Sequence, residues 1–95
     1  MNAVVLRVAT GLAQLDRDGV VYVASLPGGP ITVLEGTAAS IWVQASGHGR
    51  AEVVEGLAEE LGLEISEIEG DVEAFIDTLL ERGLLVEERP DPRSV

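Results

Sequence analysis

Apolar and polar residues alternate through the first third of the chain, and many of the apolar ones are β-branched. Four segments of this kind, divided by residues that favour turns, cover residues 4–9, 12–19, 20–26 and 31–35. The pair Asp18-Gly19 is a strong hairpin signal, and a turn rich in proline and glycine precedes the fourth segment. The pattern predicts an antiparallel sheet in which the last three segments follow one another as strands.

Pro30 stands at the opening of the fourth segment. Because proline has no backbone N–H, strands accept it at their first residue or at the edge of a sheet. We therefore expect residues 31–35 to form an edge strand. The outer N–H and C=O groups of such a strand have no partner within the sheet.

After Gly36 the apolar residues recur every three or four positions, which is the period of a helix. Three stripes predict three helices: Ala38, Ile41, Trp42 and Ala45; Val53, Val54, Leu57, Ala58 and Leu61; and Ile68, Val72, Phe75, Ile76, Leu79 and Leu80. Thr37 is the expected N-cap of the first helix, and Ser66 opens a capping box for the third. Trp42 is expected to lie in the core. The fold class that follows is α+β and winged-helix-like: a three-stranded antiparallel sheet followed by three helices.

The 95 residues suffice for one domain with one modest core. We expect this domain to cover residues 1–86, although residues 84–88 could add a short strand, and residues 87–95 to form a flexible C-terminal tail. No apolar stretch approaches the roughly 18 residues that a membrane span needs. The chain has no cysteine, which fits a reducing compartment. These features predict a cytoplasmic protein without a membrane partner.

The net charge of −11 comes from the second half of the chain, because residues 1–50 contain equal numbers of acidic and basic side chains. Winged-helix proteins commonly bind DNA through their third helix, but the third predicted helix here is strongly acidic. Phosphate groups would repel such a helix, which argues against nucleic acid as a partner. The acidic surface either attracts cationic partners or serves solubility alone.

The residue types that carry catalysis are poorly placed in this sequence. His48 is the single histidine, and it lies between two glycines without an evident partner for nucleophilic or metal chemistry. The carboxylates fall on predicted helix surfaces rather than in a recognisable cleft. An acyl carrier role is disfavoured, because Ser66 lacks the usual modification context and strands do not belong in a four-helix carrier. The sequence predicts a binding protein that is not an enzyme and holds no metal or other cofactor.

Three motifs follow one another along the chain. They are VLEGTAASIW at residues 33–42, RAEVVEGLAEELG at residues 50–62 and DVEAFIDTLLERGLL at residues 71–85. Each motif is weak alone, but in this order and at these separations they resemble the PqqD-like family over residues 12–86. Glu35 stands where the quinone-cofactor branch of that family usually has asparagine. This departure concerns the branch of the family rather than the fold.

The resemblance implies a recognition element for ribosomally synthesised and modified peptides. Such a domain binds the leader segment of a precursor peptide and presents the precursor to maturation enzymes. The chain is most similar to the stand-alone members of lasso-peptide clusters, which implies a separate leader peptidase as a further partner. The leader would add as an antiparallel strand beside residues 31–34 and against the third helix. The expected peptide-binding residues are Ile31, Thr32, Val33, Leu34, Asp71, Ala74, Phe75 and Thr78.

Other functions remain open at this point. A PQQ-type peptide chaperone would use the same groove for a different precursor, and neighbouring genes would distinguish the two roles. A non-catalytic winged-helix adaptor or transcription regulator would not bind a leader peptide. An unrecognised enzyme is the remaining alternative.

Overall fold

The computed structural model describes residues 4–89, which form five strands and three helices. In chain order these are β1 (Val5–Val8), β2 (Leu12–Arg17), β3 (Val20–Ser25), β4 (Ile31–Leu34), α1 (Thr37–Ala45), α2 (Arg50–Leu61), α3 (Ile65–Glu81) and β5 (Leu85–Glu88). No helix within residues 4–89 combines the length and the apolar character that crossing a membrane requires.

Strands β2, β3 and β4 form one antiparallel sheet in that order. The hairpin between β2 and β3 turns at Asp18 and Gly19, which have φ angles of 52° and 78°. Two successive positive φ values are what a tight hairpin of type I′ needs, and they explain the Asp-Gly pair at this point. The predicted fold class, a three-stranded antiparallel sheet followed by three helices, is confirmed.

A second, two-stranded sheet joins the two ends of the described range, where β1 pairs antiparallel with β5. The sequence marked both segments as able to form strands but did not pair them, because contacts between distant segments leave no local signal. Glu87 and Glu88, which we expected in the tail, complete β5 opposite Leu6 and Val5. Residues 90–95 of the expected tail lie outside the described residues.

Two of the predicted helix starts are displaced. Gly36, with φ at 61°, holds the N-cap position of α1, so Thr37 is the first helical residue instead of the cap. In α3 the N-cap is Glu64, whose backbone N–H donates to the Oε2 atom of Glu67 at 3.1 Å. Ser66 is therefore already inside the helix. The motif was misread because a Glu at the third helical position can close the first turn without a Ser or Thr cap.

The core lies between the inner face of the larger sheet and the three helices. Its buried apolar residues are Leu6, Val21, Val23, Leu34, Ala39, Ile41, Trp42, Ala45, Val53, Val54, Leu57, Ala58, Ile68, Val72, Ile76, Leu79, Leu84 and Leu85. Trp42 is the largest side chain among them and is 2% exposed, which confirms its predicted place in the core. Strand β4 contributes one core residue, Leu34, and is fixed to the domain through it.

Trp42 also carries a polar group into the core, and β2 supplies its partner. The indole Nε1–H donates to the side-chain Oε1 of Gln14 at 3.0 Å. Gln14 lies opposite Val23 in the sheet, so its side chain shares the core-facing side of the strands. This hydrogen bond links α1 to the sheet that contains β4.

We expect Gln14→Ala to destabilise the domain by about 1–2 kcal/mol, because it leaves the buried indole N–H without an acceptor. Chemical denaturation monitored by Trp42 fluorescence measures this loss. Gln14→Glu retains an acceptor at the same distance and should lose clearly less. Equal losses in the two variants would mean that the hydrogen bond contributes nothing.

Arg50 joins three elements of the domain, α2, α3 and β5. From the first turn of α2, its guanidinium Nη2 reaches Asp77 Oδ1 at 2.7 Å, its Nε reaches Glu87 Oε2 at 3.3 Å, and its Nη1 lies 3.8 Å from Glu73 Oε1. Burial lowers the pKa of Arg50, but the hydrogen bonds and charges of Asp77 and Glu87 outweigh it and raise the pKa above its usual value. The cluster fastens α3 and β5 to the start of α2.

Arg50→Ala should destabilise the domain by about 1 kcal/mol in low salt, since it leaves three neighbouring carboxylates without their shared cation. Because the side chain of Arg50 is partly solvated, high salt should reduce the loss. Arg7→Ala is the matched control, as it removes a single ion pair with Glu88 between two well-exposed side chains. Thermal unfolding at two salt concentrations makes the comparison, and a salt-independent loss would contradict the electrostatic explanation.

Candidate functional site

Strand β4 is an edge strand, as the sequence predicted. It pairs with β3 on one side, and no strand within residues 4–89 pairs with its other side. Ile31 and Val33 are 67% and 53% exposed, so two large apolar side chains of this four-residue strand are open to solvent. The outer edge therefore combines free backbone groups with exposed apolar side chains.

The hydrogen-bond alternation of the sheet decides which backbone groups of β4 face the free edge. The N–H of Ser25 donates to the carbonyl oxygen of Pro30 at 3.3 Å, so these two residues form a bonded pair. Bonded and non-bonded pairs alternate along an antiparallel ladder. The backbone of Thr32 therefore faces β3, whereas the N–H and C=O groups of Ile31 and Val33 point away from the sheet. We expected a bound peptide to form hydrogen bonds with the backbone of all four residues of β4. In this geometry only Ile31 and Val33 have backbone groups that face the free edge.

The side chains of β4 divide between the two faces of the sheet. Leu34 points into the core and is 3% exposed, whereas Ile31 and Val33 lie on the outer face. Val33 stands opposite Tyr22, which stands opposite Leu15, and all three side chains are exposed. The outer face thus carries an apolar row across all three strands. A further strand added beside β4 would lengthen this row.

The predicted residues of α3 form one row along the helix. Asp71, Phe75 and Thr78 recur at i, i+4 and i+7, and Arg82 continues the row at i+11, just past the last helical residue. Ala74 lies at the side of this row, where its carbonyl oxygen accepts a hydrogen bond from the Thr78 hydroxyl at 3.1 Å. Phe75 packs partly against the core, and the others are exposed.

The first of two clefts along this row lies at the N-terminal half of α3. It has a volume of about 400 Å³ and is lined by Thr37, Ile41, Leu57, Leu61, Leu63, Ile68, Asp71, Val72 and Phe75. Leu61 and Leu63 are 45% and 44% exposed, so part of the apolar lining is open to solvent. Asp71 supplies the one charge. This cleft suits an apolar side chain that has a basic or hydrogen-bonding group beside it.

The second cleft lies at the other end of the row, where α3 ends. It has a volume of about 460 Å³ and is lined by Ser25, Pro30, Ile31, Thr32, Val33, Arg82 and Leu84. Here the exposed edge of β4 and the end of α3 border the same space. The charge in this lining is the positive one of Arg82.

The linings of the two clefts show that β4 and α3 run in opposite directions. Ile31, at the start of β4, shares the second cleft with Arg82 from the end of α3. Thr37, beyond the end of β4, shares the first cleft with Asp71 from the beginning of α3. An extended segment beside β4 would therefore run past both clefts. We call the free edge of β4, the row on α3 and the two clefts the β4–α3 groove.

Of the predicted peptide-binding residues, Asp71 and Phe75 line the first cleft, and Ile31, Thr32 and Val33 line the second. Ala74 and Thr78 line neither cleft and lie on α3 between them. Leu61, Leu63 and Arg82 were missed. For Arg82 a signal existed, because eleven residues are close to three helical turns and return to the face of Asp71.

The chemistry available in this groove is that of binding. In residues 4–89, no three or more His, Cys, Asp or Glu side chains lie close enough to hold a metal ion. His48 is exposed in the loop between α1 and α2 and lines neither cleft of the groove. The groove instead offers backbone hydrogen bonds, apolar surface and one charge at each end, which are the features that bind an extended peptide.

The sequence matches a family model, and the fold is similar to that of a solved structure. Residues 4–85 match the family model described as Coenzyme PQQ synthesis protein D (PqqD). A solved structure described as TbiB1 in complex with the TbiA(beta) leader peptide is similar in fold, with a TM-score of 0.75 and 21% sequence identity. The match covers 83% of this chain and 93% of that one. No curated protein matches the sequence.

Proposed function

The chain belongs to the PqqD family, and from this premise we propose that it binds the leader segment of a ribosomally synthesised precursor peptide. The leader adds as an antiparallel strand to the free edge of β4 and lies in the β4–α3 groove. The observation that carries this proposal is the pair of outward-facing backbones at Ile31 and Val33, at an edge bordered by apolar clefts. TbiB1, whose fold is similar, was solved with a leader peptide bound.

The domain acts by binding and presentation rather than by catalysis, and it needs no cofactor. We place it in a lasso-peptide pathway, where a separate leader peptidase would act on the precursor that this domain holds. The sequence features behind this assignment are those of the stand-alone members described above. The maturation enzymes and the precursor would then meet in the cytoplasm.

The family description itself favours a second candidate, a peptide chaperone for the synthesis of the quinone cofactor PQQ. Glu35 speaks against it, because asparagine is usual there in that branch. The two candidates differ in the precursor and in the neighbouring genes. A gene for a transglutaminase-like peptidase next to one for an asparagine-synthetase-like cyclase would support the lasso pathway, and a radical enzyme gene would support the other.

Fluorescence anisotropy tests the proposal. The probe is a labelled peptide of about 20 residues that corresponds to the N-terminal segment of any short open reading frame found next to this gene. A Kd in the micromolar range or tighter is expected, since backbone pairing and apolar anchors must outweigh the cost of ordering the peptide. A scrambled peptide of equal composition and a DNA duplex are the controls. Binding of the duplex without binding of the leader would refute the proposal and favour a transcription regulator.

A further inference from the structure

Arg82 places a positive charge beside the exposed edge of β4 in a strongly acidic chain. Among residues 4–89, Arg7 and Arg50 have carboxylates within 4.0 Å, whereas Arg82, like Arg17 and Arg89, has none. Its position at the C-terminal end of α3 is favourable for any cation. That position also borders the second cleft of the groove, beside Ile31 and Val33.

The two ends of the groove thus carry opposite charges. Asp71 lines the first cleft, at the beginning of α3, and Arg82 lines the second, at its end. A strand that adds antiparallel to β4 runs from the Thr37 end towards Ile31. The N-terminal part of the bound peptide would therefore pass Asp71, and its C-terminal part would pass Arg82.

The helix sets the spacing between these two contacts. Asp71 and Arg82 are eleven positions apart, which corresponds to about 16 Å along α3. An extended strand covers this distance in about five residues. Since side chains on one face of a strand recur at every second residue, the two peptide side chains are about four or six positions apart.

We propose, on the basis of the leader-binding function above, that Arg82 forms a subsite for a carboxylate of the bound peptide and that Asp71 and Arg82 together fix the peptide's direction. The recognised segment has apolar anchors, a basic or hydrogen-bonding side chain near Asp71, and an Asp or Glu about four or six residues further towards its C-terminus. A peptide entering in the reverse direction would bring its charges to the wrong ends and bind several-fold more weakly.

A displayed library of random 15-residue peptides tests this proposal without knowledge of the natural precursor. The full chain is used as bait, and the selected peptides are sequenced. We expect Asp and Glu to be enriched roughly two- to fivefold at the position that follows the apolar and basic anchors, as an exposed ion pair allows. Selection with Arg82→Glu should remove this enrichment and favour Lys or Arg there.

Arg17→Glu is the matched control, because it makes the same change in net charge at the β2–β3 hairpin, away from the groove. Selection with this variant should retain the acidic preference. If peptides are enriched but show no acidic preference that depends on Arg82, or show the acidic residue before the basic one, the charge assignment is wrong while leader binding stands. If no peptide is enriched with any bait, both the assignment and the proposed function fail.

Discussion

Replacing Val33 by proline is expected to weaken leader binding strongly while the domain stays folded. The N–H of Val33 faces the free edge of β4, so the fold loses no hydrogen bond when proline removes it. The bound peptide loses a backbone partner, and the proline ring occupies the space where its strand would lie. We expect the Kd to rise by at least about 30-fold, since steric exclusion adds to the roughly 1 kcal/mol of a hydrogen bond.

Val33→Ala distinguishes the contribution of the backbone to binding from that of the side chain, because it keeps the N–H and loses only apolar contact. Its affinity should fall far less than that of Val33→Pro. Thermal unfolding of both variants should stay within about 5 °C of the parent, since Val33 is 53% exposed. A folded Val33→Pro variant that binds the leader like the parent would rule out strand addition at β4.

A proline at Thr32 would have a different effect from one at Val33, and the sequence alone could not predict this difference. Pro30 indicated an edge strand, and the strand order confirms it. Which of its residues face outward depends on the register with β3, where Thr32 lies opposite Val23. Thr32→Pro would remove a bond of the sheet itself and unfold the edge instead of blocking it. A one-residue difference in the pairing of β4 with β3 reverses that conclusion, and the residues of β4 alone do not show which of their backbone groups face β3.

The helices were predictable for a different reason. The stripes at helical spacing follow from the need to bury one face, and most of the predicted positions are buried. The sequence did not predict contacts between distant segments, such as the pairing of β1 with β5 or the hydrogen bond between Trp42 and Gln14. Asp77 is a further case, since an exposed helical acid is bound here by Arg50 from another helix.

Leu63→Asp is expected to weaken leader binding about as strongly as Val33→Pro, although Leu63 lies in the first cleft and not on β4. Leu63 follows α2 and lines the first cleft, where it is 44% exposed and so available to a ligand. An aspartate there would carry a charge into the surface that the peptide's apolar anchor must cover, and burying it without a partner is costly. We expect a loss of affinity of about 30-fold or more, with a small effect on stability because the leucine is only half-buried.

Val43→Asp is the matched control, because it makes the same change in charge at an apolar residue that is 63% exposed on α1 and lines neither cleft of the groove. If the groove binds the leader, Leu63→Asp loses affinity and Val43→Asp does not, although both chains become equally more acidic. Equal losses would point to long-range charge rather than to contact in the cleft. Unchanged affinity in a folded Leu63→Asp variant would leave β4 as the binding edge but place the peptide's apolar anchors outside the first cleft.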